Sequence, residues 1–181
     1  ILSKYIIQLL NDYQKGDDQI LKSIITILKC EGFNIISLKD VDKQFYFKLN
    51  QDELIFKENE NDLNDIIKGK SLLNSISKYD NAQSTVISKG YILGIECVEG
   101  TDSLLKRVAK EKKNLKLTKS EGVLVKIAKK YQSQIVDNPV IGKNTILNLI
   151  KADLNGLAIS KKNIIIFDKK NVIKLLQKNK K

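Results

Sequence analysis

The sequence predicts a mixed α/β domain in which a sheet with β-hairpins is flanked by helices, preceded by an N-terminal helical segment. Three observations carry that expectation. Apolar residues recur at helical spacing over the first thirty residues. Compact β-rich runs, Ser84–Ser88, Tyr91–Val98 and Val123–Ile127, occupy the middle of the chain. Helical patterns alternate with these runs, while tight Lys-Gly and Lys-Lys turns break a purely parallel order.

Taken in order, Ile6, Leu9, Leu10 and Tyr13 predict a helix over 3–14 that ends at Gly16. Asp17 or Asp18 caps a second helix, with Leu21, Ile24, Ile25 and Leu28 on one face and Gly32 as its stop. Phe33–Leu38 reads as a strand. Residues 40–60 fit a short strand or a docked loop. Leu63, Ile66, Ile67, Leu72, Leu73 and Ile76 predict a helix over 61–78. Ser84–Ser88 and Tyr91–Val98 form a hairpin across Lys89-Gly90. Asp102 opens a helix carrying Leu104, Leu105 and Val108, and 111–120 reads as a lysine-rich loop. Residues 128–141, with Pro139, read as irregular. A helix follows Gly142, with Ile146, Leu149 and Ile150 inward. Leu157–Ser160 and Asn163–Phe167 read as a strand pair across Lys161-Lys162, and Asp168 or Asn171 caps a last helix. The organisation expected is a helical segment over 1–32 and a mixed α/β domain over 33–181.

Composition narrows the chemistry. The 181 residues contain no histidine and two distant cysteines, Cys30 and Cys97. A structural zinc site needs about four nitrogen or sulfur ligands, so zinc is not expected. General base chemistry falls to a carboxylate, a lysine, a tyrosine or a thiolate. The net charge of +11 invites a nucleic-acid partner, but of 32 basic residues only Arg107 is an arginine. Guanine and phosphate readers favour the arginine fork, so no nucleic acid is expected. Attraction to an anionic membrane surface fits the charge as a secondary effect. No signal peptide is visible, no apolar run reaches bilayer length, and no initiator methionine is present, as in a fragment or a processed piece.

Two segments concentrate polar groups in apolar settings. Gly94-Ile95-Glu96-Cys97-Val98-Glu99-Gly100-Thr101-Asp102 packs three carboxylates at a strand-to-helix transition. Strand ends are where α/β folds bind ligands, and carboxylates there can hold a hard cation or orient a water. Equally, Thr101 or Asp102 could serve only as a helix cap. Lys126 follows Leu124 on one side of a strand, so its ammonium needs a phosphate or a carboxylate as partner. Asp137 precedes a proline turn leading to the helix at Gly142, whose N-terminus attracts anions.

These residues resemble the LpxI family. The likeness is carried by Glu96-x-x-Glu99-Gly100-Thr101-Asp102, Gly122-Val123-Leu124-Val125-Lys126 and Asp137-x-Pro139-x-Ile141-Gly142. Lys15-Gly16-Asp17-Asp18, Glu31-Gly32-Phe33 and Asp80-x-x-Gln83 extend it from about Lys15 to Leu176. The resemblance implies a UDP-2,3-diacylglucosamine pyrophosphatase of lipid A synthesis, dependent on a divalent metal, preferably magnesium, and releasing UMP and lipid X. It implies a cytoplasmic protein in peripheral contact with the inner membrane, a lipid-linked nucleotide sugar as substrate, and a homo-oligomer as a compatible state. It also implies that most of an N-terminal Rossmann-like domain is missing here. On this basis Asp137, Asp102 and Lys126 are the catalytic candidates. Glu96, Glu99, Asp102 and Asp137 are the metal candidates. Gln83, Glu99, Gly100, Thr101, Gln132, Gly142, Asp17 and Asp18 are the substrate-binding candidates. Two departures stand out. Where the family carries an Asp directly after the Gln and an Arg two residues further on, this chain has Ser133 and Ile135. A decayed, binding-only member of the family is therefore the alternative.

Overall fold

A computed structural model describes residues 5–13, 17–41, 60–79, 82–116, 120–128, 138–160, 164–179 and 181. The helices are α1 (Ile6–Tyr13), α2 (Asp17–Cys30), α3 (Leu38–Val41), α4 (Glu60–Ile76), α5 (Gly100–Asn114), α6 (Lys143–Lys151) and α7 (Lys169–Asn179). The strands are β1 (Ser84–Ser88), β2 (Tyr91–Ile95), β3 (Val123–Lys126), β4 (Val140–Ile141), β5 (Gly156–Ile159) and β6 (Ile165–Ile166). Four strands form a mixed sheet in the order β2-β1-β3-β5. β1 is antiparallel to both neighbours, and β3 and β5 run parallel. The expected architecture is the one observed.

Period-two alternation sorts the sheet into two faces. Val86 pairs with Leu124, and both enter a cluster with Leu104, Leu105 and Val108 of α5 and Leu149 of α6. The alternate residues Val123 and Val125 pack instead with Leu73 of α4. Every residue of β1 and β3 is buried, as central strands covered on both faces must be. Gly69 lets α4 come close: a Cβ there would lie 2.7 Å from Val125 Cγ2 and 3.2 Å from Thr85 Cγ2. A third cluster joins Ile141, Ile146, Ile164, Ile166, Val172 and Leu176 under β4, β6, α6 and α7.

Several local expectations are corrected. Phe33–Leu38 is not a strand. Residues 33–37 are irregular, Phe33 and Ile36 are exposed, and Leu38 begins α3. The Asp40 carboxylate accepts hydrogen bonds from both the Ser37 amide and hydroxyl, which starts a helical turn rather than a ladder. The lysine-rich stretch after 111 stays helical through Asn114, because Lys112 is buried and donates to the carbonyls of Glu121 and Asp153. β2 stops at Ile95 rather than Val98. Leu157–Ser160 and Asn163–Phe167 do not pair with each other: β5 joins β3, and β6 joins β4, both in parallel. Val140–Ile141, expected to be irregular, supplies that partner strand. The ambiguous stretch 40–60 lies largely outside the described residues.

Helix α1 shows an inverted pattern. On α1 the only fully buried residue is Asp12, which accepts a hydrogen bond from Ser23 of α2 at 2.5 Å. Ile6, Ile7, Leu10 and Tyr13 are all exposed.

Gly69→Ala tests the close approach of α4. Alanine normally favours a helix by about 1 kcal/mol over glycine. Here the clash with Val125 outweighs that gain, and denaturant unfolding should show a net loss of about 1–2 kcal/mol. A more stable variant would contradict the packing.

Candidate functional site

The site is a row across one end of the sheet. Ser84 opens β1 and sits directly opposite Lys126, the last residue of β3. On the other side of Ser84 the chain leaving β2 brings in Glu96, whose amide donates to the Ser84 carbonyl at 2.9 Å. Lys126, Ser84 and Glu96 thus line up across three strands. By alternation Lys126 and Ser84 fall on the Leu124 and Val86 side, which faces α5.

The first turn of α5 covers this row. Gly100 has φ +79°, a left-handed conformation that glycine adopts without strain and that turns the chain from β2 into the helix. Thr101 then lies over the row and is buried. Neither Thr101 nor Asp102 caps the helix, as one sequence reading allowed. The N-cap is Glu99, and it makes no side-chain capping bond.

The hydrogen bonds form one connected set. Lys126 Nζ donates to Thr101 Oγ1 at 2.5 Å. Thr101 Oγ1 donates to Glu96 Oε1 at 2.7 Å. Ser84 Oγ donates to Glu96 Oε2 at 2.7 Å, and the Gln83 amide donates to the same oxygen at 3.0 Å. Each hydroxyl carries one proton, and both protons go to Glu96. The 3.0 Å approach of Ser84 Oγ to Thr101 Oγ1 is therefore a packing contact rather than another hydrogen bond.

Lys126 is the unusual member. It is only 6% exposed, and among the described residues its ammonium makes a single hydrogen bond and no direct ion pair. Burial pushes its pKa below the ordinary lysine value, against the opposing pull of the Glu96 and Asp102 charges. Two of its three N–H donors have no partner among the described residues. Asp102 Oδ1 is likewise buried without a hydrogen-bond partner there. Buried polar atoms left unpaired are costly, so Lys126 and Asp102 call for partners beyond the described residues. Lys112 makes the contrast: it is equally buried, but two backbone carbonyls receive its ammonium.

The remaining candidates fall as follows. Glu99 is partly exposed and paired with Arg107 at 2.7 Å, which holds its carboxyl below the usual range. Gln83 contributes its backbone: its amide to Glu96 and its carbonyl to the Ile127 amide. Gly142 precedes α6 as its N-cap in extended conformation. Asp17 and Asp18 open α2. A polar groove of about 710 Å³ lies between α1 and α2, lined by Gln8, Asn11, Gln19, Lys22 and Ser23 among others, and shares no residue with the row. Asp137, Gln132, Ser133 and Ile135 lie outside the described residues. Ser84 was missed in the sequence. Only the β1–β3 register reveals that it faces Lys126, and strand alternation alone does not fix register.

The residues suit a hard cation in kind: the row offers carboxylate oxygens and no imidazole, while both cysteines are exposed. Among the described residues no three acidic, histidine or cysteine side chains converge on one point.

The fold and the row define an α/β protein with a buried cationic and carboxylate site at a strand end. The LpxI C-terminal domain family matches residues 54–180. The UDP-2,3-diacylglucosamine pyrophosphatase LpxI of Caulobacter vibrioides is 30% identical over 162 residues, which is 88% of this chain. The chain spans 58% of that relative's length. It belongs to the LpxI family.

Thr101→Val, close in shape, should cost about 2–4 kcal/mol in denaturant unfolding, because it strands a buried ammonium and takes one donor from Glu96. A change within about 0.5 kcal/mol would show that the hydroxyl does not connect the two charges.

Proposed function

We propose that this protein hydrolyses the pyrophosphate bond of UDP-2,3-diacylglucosamine, releasing UMP and 2,3-diacylglucosamine 1-phosphate, and so acts in lipid A biosynthesis. The observation that carries this reading is Lys126: among the described residues, a buried ammonium with unused donors near a buried carboxylate oxygen of Asp102 that has no hydrogen-bond partner. A diphosphate supplies acceptors for the first. The family membership and the name of the Caulobacter relative supply the substrate.

In this mechanism Lys126 donates to a phosphate oxygen and offsets charge as the anhydride breaks. Thr101 holds the ammonium in place and passes its influence to Glu96, which keeps a counter-charge close without neutralising the lysine directly. Ser84 and the Gln83 amide fix the Glu96 carboxylate against the sheet end. Magnesium, bound through Asp102, Glu96 and Asp137, would polarise the phosphorus and stabilise the leaving oxygen. Asp137 is assigned the orientation of the attacking water, on the likeness of its Asp-x-Pro-x-Ile-Gly segment to the family. We place Glu99 in the support of the turn rather than on the metal, because its carboxylate is committed to Arg107.

The same reading carries peripheral contact with a membrane that supplies the acylated substrate, and no nucleic-acid partner. No helix among the described residues is long and apolar enough to cross a membrane.

Ser133 and Ile135 favour one second reading, a member that binds the lipid nucleotide sugar without cleaving it. Restoring the acid and the guanidinium, Ser133→Asp with Ile135→Arg, separates the two. A gain of about 100-fold or more in UMP release supports decay. No gain, with good native activity, supports the hydrolase.

Lys126→Met gives the direct test. An apolar side chain of similar length relieves a buried charge, so unfolding free energy should hold steady or rise by about 1–2 kcal/mol. Release of UMP by the whole gene product should fall by about 100-fold or more. Loss of stability with activity retained would overturn the assignment.

A further inference from the structure

Arg107 stands apart in composition and in place. It is the one arginine among 32 basic residues. It lies on α5, two turns beyond Gly100. Its Nη2 donates to the Ile95 carbonyl at 3.0 Å and to Glu99 Oε1 at 2.7 Å.

Both acceptors belong to the segment that delivers Glu96. The Glu96 amide points at β1, where it bonds the Ser84 carbonyl. The carbonyl of the same peptide, Ile95 O, points the opposite way, toward the open edge of the sheet. β2 is that edge, so no strand among the described residues donates to this carbonyl. Arg107 Nη2 donates to it from the helix side and to Glu99 with the same nitrogen, while the Cys97 thiol makes a longer, weaker contact with the same carbonyl at 3.7 Å. The two contacts bracket Glu96, one residue before it and three after. Gly94, whose Cβ would lie 3.4 Å from Arg107 Nη1 and 2.7 Å from Leu104 Cδ1, keeps the space through which the guanidinium reaches the strand.

We propose that Arg107 is a positioning residue that clamps the 95–99 turn to α5 and so holds Glu96 in register with Thr101 and Lys126. Both bonds leave one nitrogen of a planar, rigid guanidinium, so their directions are fixed together, whereas a lysine ammonium rotates on a flexible stem and holds two acceptors less firmly in place. That accounts for arginine at this place in a chain that uses lysine elsewhere. The pair is half-exposed, with side-chain exposures of 46% for Arg107 and 30% for Glu99. Exposed pairs contribute little to global stability, so the clamp acts on local geometry. The proposal rests on the hydrolase reading for its catalytic consequence, but not for the clamp itself.

The test compares wild type, Arg107→Lys and Glu99→Gln in the whole gene product. Amide hydrogen exchange, melting temperature, kcat and KM for UMP release are measured together. In Arg107→Lys, exchange across 96–102 rises by about tenfold while the central strands keep their protection. The melting temperature stays within about 2 °C. The kcat falls by about 100-fold, as for a misplaced catalytic group, with KM changed by less than about threefold. Glu99→Gln keeps an acceptor and retains most of the protection. Unchanged exchange at 96–102, a kcat equal to wild type, or loosening spread over the whole sheet with a large fall in melting temperature would each overturn the proposal. If wild type releases no UMP, the hydrolase reading fails, while the exchange measurement still decides whether Arg107 holds the turn.

Discussion

The structure turns on one buried ammonium. Lys126 sits on a central strand where its neighbours are valine and leucine, and among the described residues a single neutral hydroxyl receives it. Removing a charge from water costs several kcal/mol even after relaxation. One hydrogen bond to a threonine returns only part of that. The Glu96 charge acts through Thr101, and Asp102 acts at a distance. A protein selected for stability alone would place methionine or leucine here. Retaining lysine makes sense when a ligand completes its hydrogen bonding, and the Asp102 oxygen, without a partner among the described residues, carries the same argument with opposite charge.

The rest of the fold reads as the scaffold for that arrangement. β1 runs antiparallel to both β2 and β3, so the start of β1 meets the ends of its two neighbours. Three polar residues from distant parts of the chain therefore share one row. α5 leaves the end of β2 through Gly100 and lays Thr101 over that row. The apolar cluster of Leu104, Leu105 and Val108 fixes the height of the helix above the sheet. On the opposite face, the close seat of Gly69 on Val125 presses α4 against β3. Lys112 and Asn155 then tie the loops at the far end: Lys112 to two backbone carbonyls, Asn155 to Asp62. At the site end, among the described residues, Lys126 and Asp102 keep polar atoms without partners.

Strong patterns in the sequence located most elements. The apolar runs of β1 and β3, the Lys89-Gly90 turn and the leucine spacing of α4 and α5 were each sufficient. Phe33–Leu38 misled because its apolar content matches a strand, while the Ser37–Asp40 hydrogen bonds decide otherwise. The β5–β3 and β6–β4 pairings were not legible, since short apolar runs do not encode which strand they join. At the site, the face of Lys126 followed from alternation, and the closeness of Thr101 and Glu96 from their spacing. What they touch did not follow. Ser84 enters through register, and Glu99 leaves the cluster because Arg107, eight residues on, reaches back to it.

The central claim is that Lys126, Thr101 and Glu96, with Asp102, form a seat for a diphosphate. The most direct measurement is a crystal structure of the whole gene product with a methylene-bisphosphonate analogue of the lipid-linked nucleotide and magnesium. The account predicts a phosphonate oxygen within about 3 Å of Lys126 Nζ. An analogue bound with both phosphonates remote from Lys126, whose ammonium still touches only Thr101, would contradict it.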